Sequence, residues 1–221
     1  MKYFLILATI LQLYSCNNIS NSDTRFNIAA ELIRNGKLRE ADSLFNTIKY
    51  TNKIDFNYKL LQIIIEFKYS KFTESLAASQ NFIKIYSTNS LGYYYAGLSE
   101  FNLHNFINSE IYFDLALTKL NKSSDKDFIY LKKSNNNSDF DEVSIYDDLQ
   151  FMLGLSKRFL GKYNTAILYM EACLDRNYRK ADAYLVIGDC YASLGDEVNS
   201  RQYFLLAKQN GNKDADKYLI K

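Results

Sequence analysis

The chain has 221 residues, 48% of them hydrophobic and 24% charged, enough for one domain with a sizeable apolar core. A net charge of +2 without a dense Lys/Arg cluster gives no electrostatic footprint for nucleic acid. The chain has no Pro and no Trp, but 19 Tyr and 15 Phe.

In chain order, Met1 and Lys2 make a short basic start, and Tyr3 to Leu13 is apolar except for Thr9 and Gln12. Such a stretch is too short to span a bilayer and fits an export signal that is removed. Leu13-Tyr14-Ser15-Cys16 follows and resembles the bacterial lipoprotein processing box. That resemblance implies a signal peptide over residues 1–15 and lipid on Cys16, whose acyl chains would hold the protein at a membrane face. A plain secretion signal, or a first buried helix, is the simpler alternative. Residues 16–24, rich in Asn and Ser, read as a lipidated tether.

From residue 25 to residue 221 nearly all the sequence has helical periodicity, and a 34-residue register runs through it. A small residue opens the second helix of each unit: Ala41, Ser75 and Ser109, then Ala166 and Ser200. Ala29, Ile63, Gly97, Gly154 and Gly188 stand twelve residues before them. The turns within units carry Gly36, Gly161 and Gly195, with Ser70 and Asn105 read as the matching sites. Small residues let two helices approach closely, and glycine leaves a helix in the left-handed conformation.

The pattern resembles the tetratricopeptide repeat, most closely at Leu153-Gly154, Gly161, Tyr163, Ala166, Met170 and Cys173, and again at Ile187-Gly188, Tyr191, Gly195, Ser200, Phe204 and Ala207. The resemblance implies an all-α fold, a right-handed superhelix of antiparallel helix pairs with about five repeats. The family usually closes each repeat with Pro; here Asn, Gly and Lys must end the helices. The spacing from Ser109 to Ala166 exceeds one repeat by 23 residues, which places an inserted loop at about 124–146. Within it Asp127 to Lys133 could form a short helix, and the acids from Asp139 to Asp148 lack the spacing of a calcium loop. The insert fits a solvated linker or a partner-binding loop. Residues Lys213 to Ile220 read as a capping helix.

Chemistry is sparse. The one histidine, His104, sits at a turn and makes neither a metal site nor a catalytic triad, and no phosphate-cradling glycine loop is present. Cys173 and Cys190 lack metal-ligand neighbours and read as small core residues. No cofactor, metal or catalytic residue is expected.

In the resembled family the first helices line a concave face that holds the ligand. Carried over by register, its central residues are Lys68, Tyr94, Leu98, Phe101, Phe151, Leu155 and Arg158. It extends to Asn27, Ala30 and Arg34 at one end and to Leu185, Asp189 and Ala192 at the other. Aromatic and Arg residues in a groove make good anchors for a protein surface, although each aromatic or leucine singly also fits packing between helices. Lys68 and Arg158 do not reproduce the family's carboxylate-binding set. The expected function is a non-catalytic envelope scaffold or assembly factor with protein partners, lipid-anchored at the outer membrane and facing the periplasm. The alternatives are a surface lipoprotein that captures a glycan or small ligand, and an enzyme with a carboxylate site.

Overall fold

Helix pairs form because each helix has one apolar stripe, and two stripes bury each other when a tight turn reverses the chain. In the computed structural model, residues 21–48, 56–122, 130–133, 140–143 and 145–219 are described. The expected signal segment and Cys16 lie outside the described residues. The helices are α1 (Asn21–Arg34), α2 (Leu38–Ile48), α3 (Phe56–Lys68), α4 (Phe72–Ile85), α5 (Ser90–Asn102) and α6 (Phe106–Lys122). After the insert come α7 (Ile145–Phe159), α8 (Tyr163–Asp175), α9 (Lys180–Ser193) and α10 (Glu197–Gln209). A 3-10 turn (Lys213–Ala215) and the one-turn helix α11 (Asp216–Leu219) follow. The architecture is thus an all-α array of successive antiparallel helix pairs. Helix α1 starts inside the stretch read as tether.

Two compact units divide the chain at Tyr58 and Lys59. In the first, α1 packs on α2, whose Ala41, Phe45 and Ile48 are buried, and Phe45 stacks on Tyr58 with ring centroids 4.7 Å apart. The second unit holds the rest. Its core runs through Phe82, Phe113, Leu153, Met170 and Ile187.

One turn recurs within all five pairs. A residue with positive φ donates its N–H to the carbonyl three back, and the next residue reaches five back; around Gly161 these bonds run to Arg158 at 3.0 Å and from Lys162 to Lys157 at 2.9 Å. This is the Schellman closure, which satisfies carbonyls that the helix end leaves free. The positive-φ residues are Gly36, Ser70, His104, Gly161 and Gly195. The site that matches the glycines is therefore His104 (φ 63°), a correction to Asn105. Asn105 instead gives its backbone N–H to the Glu100 carbonyl and its side-chain amide to Glu100 Oε2 at 2.8 Å.

The glycines twelve residues before Ser109 and Ala166 do what the register requires. A Cβ on Gly97 would sit 2.6 Å from the Phe113 ring, and one on Gly154 would sit 2.5 Å from Met170 Cε. Between pairs Pro is not needed. After α8, Asn177 takes φ 55° and the Tyr178 N–H returns to the Cys173 carbonyl at 2.8 Å.

The insert corrects one expectation. Tyr130–Lys133 is a strand, paired antiparallel with Phe140–Val143 in the register Tyr130↔Val143 and Lys133↔Phe140, where a short helix was expected. Tyr, Leu, Phe and Val in these segments favour strand, and so short a run cannot sustain a helix nucleus.

Candidate functional site

All seven central residues of the expected face fall in the second unit. Tyr94, Leu98 and Phe101 are on α5, and Phe151, Leu155 and Arg158 are on α7. Helix α7 touches both α5 and α9, so these first helices adjoin. Lys68 is exposed in the last turn of α3, and among the described residues no hydrogen bond or ion pair links it to the other six.

The six central residues on α5 and α7 divide into two ends. At one end the face is sealed. Phe151 is 1% exposed, with the Arg179 guanidinium 4.0 Å from its ring centroid and Tyr178 edge-on at 6.3 Å. Tyr94 is buried and donates its hydroxyl to Asp148 Oδ2, while Tyr178 donates to Asp148 Oδ1 at 2.5 Å. Beside it Arg176 donates to Asp147. Burial, reinforced by the Asp148 charge, pushes the Tyr178 phenol well above its ordinary value. The segment Arg176–Arg179 is thus tied down by two adjacent carboxylates in the first turn of α7. Arg179 itself has φ 45°, and its guanidinium also bonds Asp182 at 2.9 Å.

At the other end the face is open. Phe159, next to Arg158, is 46% exposed and stacks on Phe106 at 4.4 Å with rings 5° from parallel. Phe101 meets both rings edge-on, at 5.3 Å and 5.6 Å. Arg158 lies 4.6 Å over the Phe159 ring and donates to Asp189, so its charge is compensated inside the face. Leu155 is half-buried here. The result is an aromatic strip with one guanidinium held flat against it, a surface suited to apolar and aromatic side chains.

Behind the strip Lys157 points away and joins Glu110 of α6 at 2.7 Å, and Lys162 reaches the same carboxylate at 2.7 Å. Burial raises Glu110, but the two lysine hydrogen bonds outweigh it and hold the carboxyl below its ordinary value. Cys173 and Cys190 are free and buried, and burial pushes both thiols up to about 12, which leaves them unreactive.

Register found α5 and α7 but missed Phe159, one position beyond Arg158 in the same turn. The register of helix faces carries no signal for Tyr178 and Arg179, because both stand in the link between two pairs. Among the described residues no group of three or more His, Cys, Asp or Glu could hold a metal ion.

A tetratricopeptide-repeat family model matches residues 151–215. Comparison with curated proteins finds no match. Among solved structures, a MamA protein superposes with TM-score 0.62 at 16% identity, over 88% of this chain and 94% of that one. Pseudomonas aeruginosa PilF gives 0.64 at 13% identity, over 86% and 76%. MamA from Desulfovibrio magneticus RS-1, from residue 41 to its end, gives 0.65 at 11% identity, over 87% and 96%. Likeness at these identities is likeness of fold, and the fold is that of tetratricopeptide-repeat arrays.

Proposed function

We propose that this chain is a non-catalytic scaffold of the cell envelope that binds other proteins along the face of its first helices. The observation that carries the reading is the open strip of Phe101, Leu155, Arg158 and Phe159, where three aromatic or aliphatic side chains flank a charge-compensated arginine. Aromatic residues and Arg are the usual anchors of protein interfaces. The tetratricopeptide-repeat match over residues 151–215 includes three of these four residues.

The anchor belongs to the same proposal. Leu13-Tyr14-Ser15-Cys16 supports lipid on Cys16, an outer-membrane location and a periplasm-facing repeat array. Among the described residues no helix is long and apolar enough to cross a membrane. Two measurements test the parts separately. Radiolabelled palmitate should enter the wild-type chain and not Cys16→Ala; equal labelling of both removes the anchor. Purification from gently solubilised envelopes should recover a stoichiometric protein partner that Phe159→Glu loses. Recovery of the chain alone, in several mild detergents, contradicts the scaffold.

A further inference from the structure

In the repeat register Asp189 stands where Ile64, Leu98 and Leu155 stand, and Arg158 stands where Phe67 and Phe101 stand. Two apolar columns of the first-helix face are thus each broken by a charge, of opposite sign, and the two charges meet. Asp189, on α9, accepts the Arg158 Nε–H, while the guanidinium lies 4.6 Å over the Phe159 ring. The two side chains are 28% and 21% exposed, so each charge acts in a setting well short of bulk water. Such a pair adds little to stability over apolar residues of the same size, because the cost of desolvation offsets the attraction. What it changes is the charge that an incoming group meets. The adjacent cation does not alter that charge, because Lys157 turns away to Glu110 at 2.7 Å.

We propose that Asp189 is the specificity-determining residue of the open strip. By cancelling Arg158 it makes the strip select an uncharged aromatic or aliphatic segment of a partner protein and reject an acidic one. The inference rests on the strip being the binding face. A carboxylate brought to Arg158 must displace Asp189 or lie beside it, and like charges at that range repel. A cation brought there meets Arg158 itself. A neutral ring packs against Phe101, Phe159 and the guanidinium without disturbing the pair. Without the Asp189 charge the guanidinium is left unpaired, and the same strip takes a carboxylate through charge-assisted hydrogen bonds.

A phage-displayed library of random peptides, panned on the immobilised full chain and its variants, tests this. Wild type should enrich peptides rich in Phe, Tyr, Trp and Leu and poor in Asp and Glu. Asp189→Asn should enrich peptides that place Asp or Glu beside an aromatic residue, whereas Asp189→Glu should keep the wild-type preference. Asp189→Asn combined with Arg158→Gln is neutral again and should return to apolar peptides, which separates loss of charge from loss of fold. Adding one Glu beside the aromatic residue of an enriched peptide should weaken binding to wild type about tenfold, the scale of one close charge pair, and should not weaken binding to Asp189→Asn. Acidic peptides enriched on wild type, or the same peptides enriched on wild type and Asp189→Asn, overturn the proposal; if Phe159→Glu abolishes that enrichment, the strip stands as the binding face. Enrichment that Phe159→Glu leaves unchanged, or no enrichment at all, overturns the face itself and the role of Asp189 with it.

Discussion

Phe151 and Phe159 lie two turns apart on α7, yet one is 1% exposed and the other 46%. The helix treats them alike; the neighbouring segments do not. Arg179 and Tyr178 reach back from the link before α9 and close over Phe151, Tyr178 held by Asp148 and Arg179 by Asp182, while Arg176 ties the start of the link to Asp147. Phe159 is contacted by Phe106 and by its own neighbour Arg158, with no link segment folded over it among the described residues, and it stays 46% exposed. A position on the inner face of a repeat is therefore available or sealed according to the loop beside it. Helical register alone does not distinguish the two.

The largest test of this contrast is a pair of truncations. Phe151→Ala is expected to cost about 4 kcal/mol in urea unfolding, the scale for a buried phenylalanine. Phe159→Ala should cost about 1 kcal/mol, from the loss of aromatic pairing alone. Similar costs for the two would remove the distinction.

Next come two adjacent cations. Lys157→Met leaves Glu110 with only Lys162 in a mostly buried place and is expected to cost about 3 kcal/mol. Arg158→Met, on the more open side, should cost less in stability. The Glu110 contribution has a definite pH sign. Its folded pKa is lowered, so its stabilisation is complete above the unfolded value of 4.5 and fades as pH falls through the folded value. Wild type should therefore lose more stability than Glu110→Gln when acidified below about pH 4.5, by the linkage of that shift. Parallel acid profiles would contradict the assignment.

Arg179→Ala sharpens the comparison at the strap itself. It should cost about 1 kcal/mol through the lost cation–π contact. It should also speed amide exchange around Phe151 without changing exchange near Phe159. The smallest effect is a gain. His104→Gly relieves a left-handed residue and should stabilise by about 1 kcal/mol in thermal unfolding, while Asn105→Gly, next to it, should not.

Much of the fold was legible because its rules are periodic. The 34-residue register gave the pairing and the close approaches at Gly97 and Gly154, and it placed α5 and α7 on one face. The step of 34 from Ser70 leads to His104, and the expectation of Asn105 departed from that step toward the neighbouring residue with the greater left-handed preference. Periodicity misread Tyr130–Lys133 because a strand depends on its partner, Phe140–Val143, across a gap in sequence. The sealed half of the face was not legible. Which ring Arg179 covers depends on how the link between pairs turns in space, and that has no period.

The most direct measurement is site-specific photo-cross-linking in intact cells that make the protein. A photoreactive phenylalanine at Phe159 should give a discrete cross-linked protein band. The same group at Phe151, which is sealed, or at Leu168, which is 64% exposed on α8, should give none. No band from Phe159, or the same band from all three positions, would contradict binding through the open strip.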